Sequence, residues 1–180
     1  MNAVPDELEI VQAFVNTADV GSGSDELETP SVLVSWLAEH ALIEKDTAAS
    51  EKDLERTRAL REALRALLYA NAGGELDPKA PPVLDAAAGR AGLRLYFYAD
   101  GKAGLMPCAE GIDGAHGRLL AIVAEAMRAG TWGRLKACRS DDCRWAFFDE
   151  SKNHSRAWCS MAVCGNRAKA RAFRERQAGA

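Results

Sequence analysis

The sequence predicts a mainly helical N-terminal domain with one small β-hairpin, an α+β arrangement, followed by a small treble-clef-like module built around four cysteines. Three observations predict this fold class. Apolar residues recur at helical spacing through most of the first 130 residues, and one short segment instead alternates with period two. Four of the five cysteines lie in the last 50 residues as two matched pairs. We therefore expect a domain at 1–130 and a module at 131–180.

Two helices are predicted near the N-terminus. The first follows Pro5 and ends in the Gly/Ser/Asp-rich loop at 19–24. The second begins at Thr29-Pro30-Ser31, where a proline suits the first turn of a helix. The apolar positions that give these segments helical spacing are Ile10, Val11, Phe14, Val15, Val32, Leu33, Trp36 and Leu37.

Residues 50–70 give the clearest helical pattern. Leucines form one apolar stripe, while the charged residues, Arg61 among them, fall on faces expected to meet solvent. The helix should end at the Asn71-Ala72-Gly73-Gly74 segment. The proline-rich residues 78–82 predict a connector, which a short helical or irregular stretch follows as far as Ala91.

A β-hairpin is predicted where the pattern changes to period two, at residues 93–98. Asp100-Gly101 favours a type I′ turn, which needs positive φ at both central residues. The return strand would cover 102–107. A further helix is expected at 113–129, where Gly130 stops it.

The paired cysteines predict a metal site. Cys138 and Cys143 form one pair and Cys159 and Cys164 the other, with fifteen residues between the pairs. Zinc binds thiolates readily, and two short cysteine loops supply a tetrahedron of them with little strain. The spacing is close to the roughly 15 to 20 residues that separate the pairs of four-cysteine zinc sites. We expect one structural Zn²⁺ held by all four, so that the module is a zinc finger.

Two alternatives for the cysteines remain open. Disulfides would need an oxidising compartment. The chain, however, begins Met1-Asn2-Ala3-Val4-Pro5, without the basic and apolar regions of an export signal, and we expect a cytoplasmic protein. His154 could replace one cysteine as a ligand, although it lies in a polar turn. The fifth cysteine, Cys108, is expected to be half-buried at a strand end.

Inside the finger, the sequence predicts a hairpin and then a helix. Residues 145–148 are a strand-like apolar run, and residues 155–158 are expected to return beside them. From Met161 onward the chain is rich in Ala, Lys and Arg, which favours a helix. The aromatic residues expected to form a small core are Trp145, Phe147, Phe148 and Trp158.

The predicted terminal helix would be basic on one face. Arg167, Arg171 and Arg174 share that face at i, i+4 and i+7. The residues on the far side, expected to pack on the hairpin, are Ala168, Ala172 and Phe173.

Charge is divided sharply along the chain. The formal net charge is −3, but residues 134–180 carry eleven Lys and Arg against five Asp and Glu, which gives +6 and leaves −9 elsewhere. This asymmetry is expected when only the finger meets a polyanion. No apolar run approaches the roughly 18 residues of a membrane span. We expect no enzyme, because four thiolates saturate the metal and the three histidines belong to no catalytic motif.

The residues around the cysteines resemble a known family. Residues 138–149, CRSDDCRWAFFD, and residues 155–169, SRAWCSMAVCGNRAK, are similar to the CGNR zinc finger, named for the tetrapeptide at 164–167. In that family the finger closes a chain whose larger part is the ABATE domain of stress-induced transcription regulators. Phe14-Val15-Asn16-Thr17 and the helices around 31–42 and 60–68 look like that domain. The resemblance implies a bacterial-type transcription regulator.

Charge and resemblance together predict that the finger binds double-stranded DNA beside the zinc site. The residues expected to make this contact are Lys152, Arg156, Asn166, Arg167, Lys169, Arg171 and Arg174. A zinc-stabilised protein-interaction adaptor and an RNA-binding protein are the alternatives. The expected location is the cytoplasm, at the nucleoid.

The helical domain is expected to sense a small-molecule ligand or to assemble as a homodimer. Asn16 and Thr17 end an apolar helix face, so interdomain contacts or simple helix-end hydrogen bonds also suit them. The residues predicted to contact a ligand are Phe14, Asn16, Thr17 and Trp36.

Overall fold

The structure is a computed structural model that describes residues 5–178. Its helices are α1 (Asp6–Asn16), α2 (Pro30–Glu39), α3 (Glu51–Asn71), α4 (Ala80–Ala91), α5 (Gly111–Arg128) and α6 (Asn166–Ala178). Its antiparallel strand pairs are β1 (Ala18–Asp19) with β2 (Ser24–Asp25), β3 (Arg94–Phe97) with β4 (Ala103–Met106), and β5 (Leu135–Ala137) with β6 (Ala146–Phe148). The predicted fold class is confirmed. In this part of the chain, no helix has both the length and the hydropathy to cross a membrane.

Helix α3 lies at the centre of the core. A capping box fixes its start, because Ser50 Oγ accepts from the Asp53 N–H at 3.2 Å and the Asp53 carboxylate accepts from the Ser50 N–H at 2.9 Å. Helices α1, α2, α4 and α5 pack around α3. The leucine stripe predicted from the sequence faces them, and the side chains with no exposed surface include Phe14, Leu37, Leu60, Leu64, Leu68 and Leu119.

Arg61 is buried, contrary to the prediction that it meets solvent. Only 4% of its surface is exposed. Its guanidinium donates to both carboxylate oxygens of Asp25 at 2.7 Å and to Thr17 Oγ1 at 3.0 Å. Arg65, one turn later, is equally buried and donates to the Val15 carbonyl at 2.7 Å. An interpretation from helical periodicity places arginine on a face that meets solvent. It does not show that Asp25 of β2 supplies a carboxylate to Arg61.

Two differences from the prediction lie between α3 and α5. Helix α4 begins at Ala80, inside the predicted connector, so that Pro81 and Pro82 occupy the first turn. A proline is tolerated there because its missing N–H would have no partner inside the helix. Cys108, expected to be half-buried, is exposed.

Strands β3 and β4 form the predicted hairpin, but its turn is not type I′. The Tyr98 N–H donates to the Lys102 carbonyl at 2.8 Å, and the Gly101 N–H donates to the Tyr98 carbonyl at 2.9 Å. Gly101 has φ of 81°, and no other loop residue has positive φ. The loop is therefore a three-residue connection with glycine in the left-handed region. Asp100 instead accepts from the Lys102 N–H through its carboxylate at 3.0 Å.

The hairpin of the finger also differs from the prediction. Strand β6 pairs with β5, with Ala137 opposite Ala146, whereas residues 155–158 form no strand. The first cysteine pair therefore lies at the turn of this hairpin. Lys136 is buried in the middle of β5.

The predicted aromatic core of the finger is divided between two places. Phe148 joins the core of the helical domain together with Leu135, Ala137 and Ala146. Phe147 packs instead against the cysteines, beside the half-buried Trp158, while Trp145 is exposed. The main core thus continues past the boundary placed at residue 130 and includes one side of the finger.

Candidate metal centre and nucleic-acid interface

The first cysteine pair lies on the turn between β5 and β6. Cys138 follows β5 directly, and its N–H donates to the Trp145 carbonyl at 2.9 Å. The Ser140 carbonyl closes the loop by accepting from the Cys143 N–H at 3.0 Å and the Arg144 N–H at 3.1 Å. Arg144 has φ of 54°, and this left-handed residue turns the chain back into β6.

The second pair lies on a loop and a helical turn. Cys164 belongs to a π-helical turn at Met161–Gly165, whose start is capped by Ser160: its hydroxyl accepts from the Val163 N–H at 3.3 Å. Cys159 immediately precedes that cap. The Arg139 N–H donates to the Ala157 carbonyl at 2.9 Å, which joins the two cysteine loops. As a result, the four Sγ atoms lie within 4.8 Å of one another.

The four thiols fit a tetrahedral metal ion. The Sγ atoms of Cys143 and Cys159 are 3.6 Å apart, and those of Cys159 and Cys164 are 3.8 Å apart. Zn–S bonds of about 2.3 Å in a tetrahedron separate the sulfurs by about 3.8 Å, whereas a disulfide bond is about 2.05 Å long. All four cysteines are free thiols, which rules out the disulfide alternative, and His154 is not part of the cluster.

The surroundings of the thiols oppose a cluster of uncompensated negative charge. Burial raises the pKa of Cys164 to about 11, and neighbouring thiols contribute. Burial and the adjacent Cys143 raise the pKa of Cys159 in the same way. For Cys138, burial also opposes ionisation, but the N–H groups of Cys159 and Ser140 prevail and lower its pKa. Four thiolates this close need a positive charge among them, which a zinc ion would supply.

A buried ion pair supports the loop that leads to the second cysteine pair. Lys136 Nζ donates to Asp149 Oδ2 at 2.7 Å and to the His154 carbonyl at 2.6 Å. Burial opposes ionisation of Asp149, but Lys136 and the N–H groups of Ser151 and Arg156 hold its pKa well below the usual range. Sequence reasoning missed this pair; its one signal is a lysine between the apolar residues of a short strand.

The two predicted DNA contacts in that loop have different surroundings. Lys152 is exposed on the turn. Arg156 is half-buried: its guanidinium donates to the Cys159 carbonyl at 2.9 Å and lies 5.1 Å from the centre of the Phe147 ring. Arg156 therefore braces the second cysteine pair, and its contact with DNA stays a prediction.

Helix α6 presents the other predicted contacts. Arg167, Lys169 and Arg174 are exposed, and Asn166 Nδ2 donates to the Ala162 carbonyl at 3.1 Å within its own turn. Arg171 reaches the first cysteine loop, where its Nη2 lies 3.3 Å from Asp142 Oδ2. It also lies 3.9 Å from the carboxylate of Asp141.

The far side of α6 is only partly as predicted. Ala168 and Ala172 are half-buried, but Phe173 is 55% exposed, so the expectation that it packs on the hairpin is wrong. The helix stands away from the core, since its packing is mainly with the preceding turn at Met161–Gly165. Its basic face is therefore open to a large partner.

Polar side chains of the helical domain hydrogen-bond the backbone of the finger. Asn16 pairs with Ala146 as a peptide group would: Asn16 Nδ2 donates to the carbonyl at 3.0 Å, and Asn16 Oδ1 accepts from the N–H at 2.7 Å. Arg65 donates to the Arg144 carbonyl at 3.1 Å. The Arg144 guanidinium in turn lies 3.7 Å from the centre of the Tyr69 ring. These contacts fix the first cysteine loop against α1 and α3.

The predicted ligand contacts lie in packed surroundings. Phe14 is fully buried, and Trp36 lies 5.6 Å from it and stacks on His40 at 3.9 Å. Thr17 Oγ1 donates to the Phe14 carbonyl at 2.8 Å, which is a helix-end hydrogen bond. Asn16 makes the interdomain contact described above.

Two cavities lie elsewhere, and none of those four residues lines them. One, of about 910 Å³, lies between the β3–β4 hairpin and α5. The other, of about 860 Å³, is lined by residues between Ala38 and Thr47 and by Glu110, Gly111 and Arg118. Ligand binding by the predicted residues therefore stays a prediction.

The fold and the donor set define a class of protein, in which a four-thiolate zinc finger is docked on a helical domain. Comparison with family models identifies both parts. Residues 8–129 match the ABATE family, described as "putative stress-induced transcription regulator", and residues 134–177 match the CGNR zinc finger. The chain belongs to the ABATE family and carries a CGNR zinc finger. No curated protein matches the chain.

Proposed function

We propose that this protein is a transcription regulator that binds double-stranded DNA through the basic face of α6. The exposure of Arg167, Lys169 and Arg174 carries the proposal. Within residues 5–178, none of the three lies in an ion pair with a carboxylate. Cations in such a position neutralise phosphates and release counterions, which supplies most of the affinity for nucleic acid. The family description supports the regulator class.

Electrostatics favours an approach by the finger alone. Its Lys, Arg, Asp and Glu residues sum to +6, and four thiolates with one Zn²⁺ would reduce this to +4. That charge still attracts a polyanion, whereas the −9 of the remaining chain repels it. Lys152 extends the cationic surface beside the metal centre. The metal is proposed to be structural, because four thiolate ligands leave no open position for a water or a substrate.

Fluorescence anisotropy of a labelled DNA duplex tests the proposal. Full-length, zinc-loaded protein is titrated at several salt concentrations. The Arg167→Ala/Arg174→Ala variant is expected to bind at least ten-fold more weakly, and two lost phosphate contacts reduce the slope of log affinity against log salt by about 2. Zinc content should be unchanged, because neither arginine belongs to the cluster of four cysteines.

A matched control removes two cations from the helical domain. Lys45 and Lys52 are both exposed there, and Lys45→Ala/Lys52→Ala lowers the net charge by the same amount as the finger variant. Its affinity should match that of the unmodified protein or fall only slightly. Equal losses in the two variants, or no binding at low salt, would refute DNA binding by α6.

The carboxylates of the first cysteine loop are expected to limit affinity. Asp141 and Asp142 neutralise Arg171 and repel phosphate. The Asp141→Asn/Asp142→Asn variant should therefore bind DNA a few-fold more tightly in the same assay. Unchanged affinity would place Arg171 outside the contact surface.

The helical domain is proposed to regulate the finger by ligand binding or assembly. The pairing of Asn16 with Ala146 and of Arg65 with Arg144 gives a direct route between the two parts. Under this proposal the protein acts in stress-induced transcription, in the cytoplasm at the nucleoid. Transcript levels in a deletion strain under stress would test that role.

A protein-docking finger is the second candidate. Exposed apolar side chains on and near the cysteine loops favour it: Trp145, Met161, Val163 and Phe173. If the finger is an adaptor, Met161→Ser/Val163→Ser should abolish capture of a protein partner while leaving the DNA titration unchanged.

A further inference from the structure

The β3–β4 hairpin exposes more apolar surface than the other elements of the helical domain. All four residues of β3 are exposed. The exposed fractions of its large apolar side chains are 60% for Leu95, 41% for Tyr96, 67% for Phe97, 47% for Tyr98, 37% for Leu105 and 39% for Met106. Isolated two-stranded hairpins are only marginally stable in water. An apolar ribbon of this kind is typical of an interaction site.

One edge of this ribbon has unpaired backbone groups. The Tyr98 N–H donates to Lys102, and alternate residues of an antiparallel strand face the same neighbour. Arg94 and Tyr96 therefore direct their backbone groups toward β4. Leu95 and Phe97 direct theirs to the other side, where the two-stranded sheet has no further strand among the residues described. An edge with free N–H and C=O groups is a template for another strand.

A groove lies under the same ribbon. Leu95 and Leu105 form its roof, and Ala121 and Ile122 of α5 form part of its floor. Its charged lining residues balance one another, with two acids and two bases: Glu7, Glu125, Lys102 and Arg128. A partner suited to this surface offers apolar side chains and a free strand edge, and the balanced charges of the groove favour neither an acidic nor a basic partner.

We infer that a second copy of this chain covers the hairpin, with the two β3 strands paired antiparallel about a twofold axis. In the register that uses all the free groups, Tyr96 lies opposite Tyr96 and Leu95 opposite Phe97 of the other copy. Both Leu95–Phe97 pairs then exchange N–H···O=C bonds, and the two ribbons form one four-stranded sheet. The strand is complementary to itself, as an isologous interface requires.

Side chains of β3 also contact each other across the proposed seam. Directly opposite side chains on one face of an antiparallel pair interact, so Tyr96 meets Tyr96 and Leu95 meets Phe97 of the other copy. In one copy these side chains are 41%, 60% and 67% exposed. The inference does not depend on DNA binding, although a dimer would place two fingers in one particle.

Sedimentation equilibrium of the full-length, zinc-loaded protein tests the dimer. A mass of twice the 19.4 kDa chain is expected at micromolar concentrations. Phe97→Lys should give the monomer mass, because a charged residue on an edge strand opposes pairing, and the exposed position leaves folding intact. Phe173→Lys is the matched control, since Phe173 is about equally exposed but lies on α6, and it should stay dimeric.

Hydrogen exchange provides a second measurement that is specific to the edge. The Leu95 and Phe97 amides should be protected in the dimer and should exchange at least ten-fold faster in Phe97→Lys, while α3 amides keep their rates. A monomer at all concentrations up to about 100 μM would overturn the inference. A dimer that Phe97→Lys leaves intact, or that Phe173→Lys dissociates, would overturn it equally.

Discussion

In the helical domain, side chains from α1, α2, α3 and α5 are buried in one continuous core, whereas the outer part of the finger buries little besides Phe147 and the cysteines. The two regions are therefore stabilised in different ways. Apolar burial is sufficient for the domain. The outer finger has a small core, so we expect its stability to depend on a metal ion. The finger therefore has an inner side that the domain core stabilises and an outer side that is expected to need the metal ion.

The β5–β6 hairpin belongs to both regions. Adjacent residues of a strand point to opposite faces of the sheet. Phe148 accordingly enters the domain core while Phe147 packs on the cysteines. The hairpin thus separates the cysteine cluster on one face from the leucine core on the other.

Removal of zinc should give the largest difference in stability between the two regions. A zinc chelator, or Cys164→Ser, is expected to remove about 10 kcal/mol of binding free energy from the outer finger. Amides at 138–144 and 157–178 should lose protection from hydrogen exchange, while those of β6, α3 and α5 keep theirs. Mass spectrometry of peptic fragments measures both. Unchanged protection in the finger would contradict the dependence on metal, and loss across α3 would show that the two regions fold as one.

Acid should lower the free energy of unfolding of the helical domain at a higher pH than that of the finger, where the ionised carboxylate of Asp149 still stabilises the fold. His116 is fully buried, and its Nε2 hydrogen-bonds Thr57 Oγ1 at 2.8 Å. Burial lowers its pKa to about 4, although the nearby Asp113 acts in the opposite direction. The unfolded chain binds a proton at His116 near pH 6.5 and the folded chain does not, so stability falls as pH drops from about 6.5 to 4. The expected loss is about 3 kcal/mol.

Urea unfolding at pH 7 and pH 4 measures this effect. His116→Gln should flatten the dependence, because glutamine does not titrate. Asp149 in the finger acts in a lower range: its pKa is depressed, so its contribution is present above about 4 and is lost as pH falls further. Equal pH slopes for His116→Gln and the unmodified protein would exclude His116 as the cause.

Asn16→Ala should weaken the junction between the regions. It removes both hydrogen bonds to Ala146 and leaves a buried N–H and C=O unpaired, which costs about 2 kcal/mol. Urea unfolding gives the value. Asn153→Ala, in an exposed turn, is the control and should change stability by less than about 0.5 kcal/mol. A loss equal to that of the control would mean that the pairing does not couple the two regions.

Local patterns in the sequence were sufficient to predict most of the fold. The leucine stripe of α3 and the cysteine spacing each depend on residues close in the chain, and helical periodicity and thiolate chemistry act at that range. The positions of Cys138, Cys143, Cys159 and Cys164 as one cluster followed from spacing alone.

Contacts between distant residues were not predictable in the same way. Arg61 pairs with Asp25 and Lys136 with Asp149, so both cations are buried although their local pattern indicates solvent. Residues 155–158 were the wrong partner for β6, because local patterns do not decide which of two flanking segments pairs with a strand. Whether Arg156 touches DNA or only the Cys159 carbonyl is likewise decided by tertiary geometry and by a partner molecule.

The pairing of Asn16 with Ala146 has a consequence for the order of events during synthesis. The two residues are 130 positions apart. At about 5–20 residues per second, the ribosome makes Ala146 roughly 10 seconds after Asn16. The side-chain amide of Asn16, at the end of α1, therefore leaves the ribosome before its backbone partner has been made. The helical domain forms this pairing only when the finger has emerged.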